Sequence, residues 1–380
     1  RRTCGDMIPA TLTRPAPTVA QRVRGWDHIE WWVGNARAVT AWLASGFGFE
    51  VIAYRGPETG CPQTVSYALA AGDIRFVVTA GLHPDGEVTR HVLEHGDGIR
   101  HLAWRVDDAK GVAAVAAAEG VPVLAEAVID GGAVGAVTTA AIATYGETRH
   151  LLVDRSGWHG GWWPGFSDAR LPRPPAGPAV GATAIDHVVG NVERGRLDDW
   201  VAFYRDVLGF AEMRHFGADQ ISTRYSALRS TVVHNGAGVV MPINEPAPGL
   251  RKSQIQEYLD AYRGPGVQHI ALSTPDIVRS VEAMRARGVR FLDMPDAYYD
   301  DVRARLGHLD LDWDGLRRLG IEVDEDSGGY LLQVFTETLG DRPTLFAEII
   351  QREGATGFGE GNFKALFEAI ERDQARRGNL

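Results

Sequence analysis

Two histidines and one glutamate stand out as groups that could do chemistry. His187 follows Asp186 at the head of a β-branched stretch, Asp186-His187-Val188-Val189. His269 sits in Val267-Gln268-His269-Ile270-Ala271-Leu272, which is also strand-like. Glu348 interrupts Leu345-Phe346-Ala347-Glu348-Ile349-Ile350, which otherwise reads as a buried strand. A carboxylate there is expensive to bury unless it is paired or bound to a metal. Strand alternation puts Thr344, Phe346 and Glu348 on one face. Any one of these residues alone would read as a hydrogen-bonded core residue; three at corresponding strand positions point to a metal. Two imidazoles and one carboxylate leave three coordination positions open, the pattern of non-haem Fe(II) oxygenases. Iron(II) with Glu348 would carry one net positive charge, which suits a mono-anionic keto acid chelating through its carboxylate and ketone.

The elements that must position these groups come from an internal duplication. Asp27-His28-Ile29-Glu30 opens a strand-then-helix segment that closes on Gly48-Phe49-Glu50, and Asp186-His187-Val188-Val189 opens another that closes on Gly209-Phe210-Ala211-Glu212. Gly98-Ile99-Arg100-His101-Leu102-Ala103 leads through a helix to Gly120-Val121, and Gly266-Val267-Gln268-His269-Ile270-Ala271 leads to Gly288-Val289 at the same 22-residue spacing. Each copy carries strand, helix and several short strands with glycine turns between them, which predicts an α+β class. The β-α-β-β-β module of the vicinal oxygen chelate fold matches this pattern, giving two tandem domains, each from a duplicated module. The expected divisions are a flexible leader at 1–22, rich in Pro, Thr and Arg; an N-terminal domain at 23–164; a linker at 165–180 holding Pro172, Pro174, Pro175 and Pro178; and a metal-binding domain at 181–380.

Composition narrows the function classes. The chain has 380 residues, enough for two ordinary domains, and a net charge of −10 without a long basic run, so a phosphate-neutralising nucleic-acid surface is not expected. No apolar run reaches the ~18 residues that would span a bilayer, and no apolar segment follows Arg1-Arg2 as a secretory signal would require. Cys4 and Cys61 are too few for a disulfide framework, so a reducing cytoplasm is the expected compartment.

Longer motifs carry a resemblance. Asp186-His187-Val188-Val189-Gly190-Asn191-Val192, Pro242-Ile243-Asn244-Glu245-Pro246, Lys252-Ser253-Gln254-Ile255, Gly266-Val267-Gln268-His269 and Leu331-Leu332-Gln333-Val334-Phe335 form one series. Asp341-Arg342-Pro343-Thr344-Leu345-Phe346 and Gly357-Phe358-Gly359-Glu360-Gly361-Asn362-Phe363-Lys364 complete it. In these motifs the sequence resembles the 4-hydroxyphenylpyruvate dioxygenase family, densely from about Ala184 to Leu380 and more loosely before it. The resemblance implies His187, His269 and Glu348 as Fe(II) ligands. It implies Ser230, Asn244, Gln254, Gln268 and Gln333 as polar pocket residues, and Phe335, Phe346, Phe358, Asn362, Phe363 and Phe367 as further pocket and lid residues. The implied partners are a small aromatic α-keto acid and O2, and a homo-oligomer is expected. The implied reaction releases carbon dioxide, oxidises the ring and moves the side chain to the neighbouring ring carbon.

Residue chemistry adds its own constraints. Amides and a hydroxyl among apolar strands are costly without a polar ligand or one another. Gln268 and His269 are neighbours and should face opposite ways, so lining one pocket with both requires a twist or bulge. Phe363, Leu366, Phe367 and Ile370 recur at helical spacing between Asn362 and Arg376, as on an amphipathic helix that covers a sheet and could close a pocket. The N-terminal copy keeps His28 and His101, with Asp154 where the other copy has Glu348; a structural or vestigial role is expected there, with a second metal site as the alternative. Competing readings are a hydroxymandelate synthase, which oxidises the benzylic carbon of the same substrate, an extradiol catechol dioxygenase, and a non-catalytic binding protein of the same fold.

Overall fold

The computed structural model describes residues 17–168, 179–217, 227–376 and 378. In the N-terminal half, β1 (Val23–Trp32), β2 (Glu50–Arg55), β3 (Thr64–Ala71), β4 (Ile74–Gly81), β5 (Gly98–Val106), β6 (Val123–Asp130), β7 (Ala136–Ala143) and β8 (Arg149–Asp154) form one sheet. Its strand order is β2-β3-β4-β1-β5-β8-β7-β6. The C-terminal half repeats this with β9 (Ala184–Asn191), β10 (Ala211–Phe216), β11 (Ala227–His234), β12 (Val240–Ala247), β13 (Gly266–Ser273), β14 (Glu322–Asp326), β15 (Gly329–Phe335) and β16 (Phe346–Glu353). The order there is β10-β11-β12-β9-β13-β16-β15-β14. Each sheet is two β-α-β-β-β modules joined along an antiparallel central pair, β1 with β5 and β9 with β13, and it curls into a half-barrel. On either side of that pair the neighbours are parallel, β4 and β8 in one sheet, β12 and β16 in the other.

The helices are α1 (Val19–Arg22), α2 (Ala36–Phe47), α3 (Glu87–His95), α4 (Ala109–Ala118), α5 (Leu197–Ala202), α6 (Gln254–Tyr262), α7 (Ile277–Ala286), α8 (Asp296–Leu306), α9 (Trp313–Leu319) and α10 (Phe363–Arg376). The duplicated glycines have a local cause. Asp108 and Asp276 cap the N-termini of α4 and α7 through Gly111 and Arg279. Gly120 and Gly288 then turn the chain at φ 85° and 87°, a region that side chains rarely enter. No helix among the described residues is long and apolar enough to cross a membrane.

The segment read as a leader divides in two. Residues 1–16 lie outside the described residues, but Thr18 to Arg22 are ordered. The Thr18 hydroxyl accepts from Gln21 N, the Gln21 side chain accepts from Thr18 N, and Val19 and Ala20 are buried. Ala20 N donates to the Leu208 carbonyl, so α1 lies between α4 and the C-terminal half. Of the 165–180 stretch, its prolines lie outside the described residues, Ser167 pairs with Tyr54, and Val180 is buried.

His150 ties the halves together. It is fully buried, stacked on Trp104 at 3.6 Å between ring centroids, with Nε2 2.7 Å from the Tyr204 hydroxyl. Burial pushes it down from 6.5 to about 3. The unfolded chain therefore takes up a proton below pH 6.5 that the folded chain refuses, so this contribution is intact above pH 6.5 and shrinks as pH falls toward 3. Lowering the pH from 7 to 5 should cost about 2 kcal/mol through this one ring. Urea unfolding at both pH values measures it, and His150→Phe should lose that part of the slope. An unchanged slope in the variant would remove His150 as the cause.

Candidate metal centre

Strand register brings the three sequence candidates together. On β13, Ala271 pairs with His187 of β9 on one side and with Glu348 of β16 on the other, and His269 lies two residues before it on the same face. His187 Nε2 and His269 Nε2 lie 3.2 Å and 3.3 Å from the same oxygen, Glu348 Oε2. All three side chains are buried. Their other nitrogens are held by neighbours. His187 Nδ1 is 2.7 Å from Asp186 Oδ1, and Asp186 accepts two hydrogen bonds from Arg352 at 2.8 Å and 2.9 Å. His269 Nδ1 donates to Gln268 Oε1 at 2.9 Å, and Gln268 Nε2 donates to Gln254 Oε1 at 2.6 Å. Fixing the outer nitrogen of each ring aims the inner one, the arrangement found around metal-binding histidines.

Charge in the pocket follows from burial and these contacts. Burial alone would lower His187, but Glu348 and Asp186 together outweigh it and hold the imidazole up to about 9. Burial pushes His269 down. Burial would raise Glu348, yet the two histidines bring it down to about 2. Three donors thus converge on one space with one positive charge balancing the carboxylate, and a divalent cation seated there would replace that proton. The donor set fits an Fe(II)-type centre with open positions.

The cavity beside these donors encloses about 660 Å³ of empty space, its mouth included. Ser230, Asn244, Gln254, Gln268, Phe335, Phe346, Phe358, Phe363 and Phe367 all line it. Gln268 and His269 do so together because the ladder with β9 shifts register between Val267 and His269, the irregularity that their adjacency demands. Ser230 and Asn244 are paired across β11 and β12. His269 stacks on Phe346 at 4.7 Å, and His187 meets the edge of Phe358 at 5.3 Å.

Two expected pocket residues, Gln333 and Asn362, are not among those that line this cavity. Gln333 is buried under Gly359, where its amide fills the space a side chain would need. Asn362 is fully buried and accepts from the Tyr298 hydroxyl at 2.7 Å. Both brace the root of α10. Sequence reasoning missed Phe216, Leu228, Val232 and Pro242 on the wall, since ordinary apolar strand residues give no signal of facing a cavity. It also missed Glu322, buried directly opposite Gln333; burial first, and then the charge of Glu348, push its carboxyl well above the usual range.

The N-terminal copy does not pair its acidic residue as the sequence alignment expects. Ala103 takes the place of Ala271, with His28 on one side, but the residue on its other side is Leu151. Asp154 lies three residues further on and accepts from Ser156 N. His101 turns to Glu30, Nδ1 to Oε2 2.7 Å, and Trp162 and Trp163 pack edge-on against His28. Among the described residues His28, His101 and Asp154 do not converge as metal donors. The Asp-His-Arg arrangement nonetheless survives there: Asp27 holds His28 Nδ1 at 2.6 Å and accepts from Arg155 at 2.7 Å and 2.9 Å.

Known proteins place this geometry in a family. Residues 27–138 and 184–334 each match the Glyoxalase/Bleomycin resistance protein/Dioxygenase superfamily. A 4-hydroxyphenylpyruvate dioxygenase from Aspergillus fumigatus is 43% identical over an alignment covering 98% of this chain and 100% of its own. Those from Caenorhabditis elegans and Danio rerio are 44% and 45% identical, each over 93% of this chain and over 93% and 92% of their own. Among solved structures, a triple mutant of 4-hydroxymandelate synthase from Streptomyces coelicolor superposes with a TM-score of 0.78 at 33% identity, covering 93% of this chain and 99% of that one. Similarity of this extent, running through nearly the full length of both chains, means that this chain belongs to the 4-hydroxyphenylpyruvate dioxygenase family.

Proposed function

We propose that the protein converts 4-hydroxyphenylpyruvate and O2 to homogentisate and carbon dioxide. The observation that carries this reading is the convergence of His187, His269 and Glu348 at one end of a cavity with aromatic walls and a cluster of amides. In this reading the three residues hold Fe(II), which supplies the redox centre for decarboxylating a keto acid and activating dioxygen. Ser230, Asn244, Gln254 and Gln268 orient the substrate's oxygens by hydrogen bonds, and Phe335 and Phe346 hold its ring flat. Phe358, Phe363 and Phe367 close the cavity from the α10 side and keep water from the reacting atoms. Gln333 and Asn362 act at one remove by fixing the lid. The spans 23–164 and 181–380 are proposed as the two domains, supported by each sheet drawing all its strands from one of them.

The test is anaerobic Fe(II) loading, addition of O2 with 4-hydroxyphenylpyruvate, and identification of the product by mass and retention. Homogentisate with an equivalent of carbon dioxide is expected. A product consisting of 4-hydroxymandelate alone would overturn the assignment in favour of the synthase, a reading that the solved-structure similarity keeps in play.

Product choice offers a finer check. Phe363 lines the cavity and packs edge-on against Phe216 at 5.2 Å. That flat surface limits how far a bound ring can tilt and so whether its ring carbon or its benzylic carbon is presented for oxidation. A barrier difference of ~1.4 kcal/mol changes the product ratio tenfold. Phe363→Ile is therefore expected to give detectable 4-hydroxymandelate beside homogentisate. Homogentisate alone at near-normal rate would mean that Phe363 does not steer the ring.

A further inference from the structure

A second set of metal-ligating side chains lies in the N-terminal half, apart from the centre described above. His91 and His95 are four residues apart on α3, so their rings share one face, with centroids 4.5 Å apart. Glu147, in the turn between β7 and β8, completes a group whose donor atoms lie within 4.8 Å of one another. Both imidazoles are buried, while the Glu147 side chain is half exposed and leaves a route from solvent.

The last residue of α6 sets both rings. His95 Nδ1 is 2.6 Å from the Tyr262 carbonyl oxygen, and His91 Nε2 is 3.4 Å from the Tyr262 hydroxyl. A carbonyl can only accept, so His95 carries a hydrogen on Nδ1, and its neutral form presents a lone pair on Nε2. That nitrogen is buried, has no hydrogen-bond partner among the described residues, and lies 3.6 Å from Glu147 Oε2. A buried acceptor that no donor reaches is unfavourable as it stands and is what a cation would satisfy. The ring-to-carbonyl bond behind it is the support that metal-binding histidines use.

We infer that His91 Nδ1, His95 Nε2 and Glu147 form a second divalent-metal site, suited to a zinc-type ion with nitrogen and oxygen ligands and a fourth position open to water. His91 Nδ1 and Glu147 Oε2 share one hydrogen across 2.6 Å. The ion takes that place and the hydrogen moves to His91 Nε2, facing the Tyr262 hydroxyl, which then accepts; the ring changes tautomer and no net proton is released. The opposing group is Arg100, which donates to Glu147 Oε2 at 2.9 Å; its charge is met in turn by Glu87 at 3.1 Å, which also pairs with Arg149. Filled, the site would clamp α3 to the β7–β8 turn beside α6, whose first residue, Gln254, lines the catalytic cavity.

The test is metal stoichiometry on the intact protein. Iron-loaded enzyme is equilibrated anaerobically with Zn(II), desalted and analysed for iron and zinc. A total of about two metal equivalents per chain is expected, falling to about one in His95→Ala and in Glu147→Gln. Glu348→Ala should also fall to about one, and Glu348→Ala with Glu147→Gln to none. Glu147→Gln changes a half-exposed group by one atom and decides the matter if His95→Ala does not fold. Substituting Co(II) in Glu348→Ala should give the visible absorption of a four-coordinate ion, absent from the double variant. A wild-type total of one, or an undiminished total in Glu147→Gln, would overturn the inference.

Discussion

His187→Ala, His269→Ala and Glu348→Ala are each expected to lower turnover by about three orders of magnitude or more, equivalent to ~4 kcal/mol of transition-state stabilisation. Each removes one of only three donors, and no other carboxylate or imidazole among the described residues is grouped with the two that remain. The fold should survive. β16 keeps its ladders to β13 and β15, and Glu348 is flanked by the buried Ala347 and Ile349. Glu348→Ala has a further signature. Glu348 helps hold His187 up at about 9, so without it the ring should titrate lower and no charge is left stranded. The metal-free variant is expected to be about 2 to 5 kcal/mol less stable than the metal-free parent, because one partner of a buried pair is removed and a cavity is left. Iron content, product formation and urea unfolding read the three effects separately. A Glu348→Ala protein that keeps its iron and near-normal turnover would take Glu348 out of the centre.

The second large effect is expected one layer out. Asp186 is held well below the usual carboxylate range: burial opposes this, and His187 and Arg352 outweigh it. In Asp186→Asn, an amide NH2 takes the place of one oxygen and faces donors, either the Arg352 guanidinium or His187 Nδ1–H. Iron affinity should drop about 10- to 100-fold, with turnover recovered at high Fe(II), which ligand removal would not allow. Asp27→Asn is the internal control, since Asp27 makes the same bonds to His28 and Arg155 with no carboxylate at the Leu151 position. It should cost up to about 3 kcal/mol of stability and leave iron affinity unchanged. Equal losses of iron affinity in the two variants would mean that Asp186 acts through the fold and not through His187.

How much of this was legible depended on whether a signal was local. The glycines that end α4 and α7 mark both copies because a backbone conformation demands them, and such demands are written at one position. Glu348 was legible because a carboxylate in an apolar strand is anomalous wherever the strand lies. The pairing of Asp154 with Glu348 failed because it needed the register of β5 with β8, and a register is a relation between distant segments. Leu151, an unremarkable strand residue, holds the decisive place. Gln333 shares a strand face with Phe335, yet where the cavity ends is set by Gly359 and the lid root, far along the chain. The opposite error was made at residues 17–22. A composition rich in proline and threonine suggested a leader, although Thr18 and Gln21 stand at the spacing of a capping box that could have been read directly.

The docking of that first short helix also bears on the order in which the molecule can be completed. Val19 and Ala20 leave the ribosome among the earliest described residues, yet Ala20 N bonds to Leu208 and the carbonyl of Val23 accepts from Asn235 Nδ2. These partners are synthesised about 190 to 210 residues later, which at typical elongation rates is roughly 10 to 40 seconds. Through that interval the first sheet can pair all its strands and α1 can pack on α4, while the side of α1 that meets Leu208 and Gly209 stays unburied and available to chaperones or to neighbouring chains. The emergence of the C-terminal half removes that exposure, so a translational pause between the halves should lengthen the period of greatest aggregation risk without changing the finished fold.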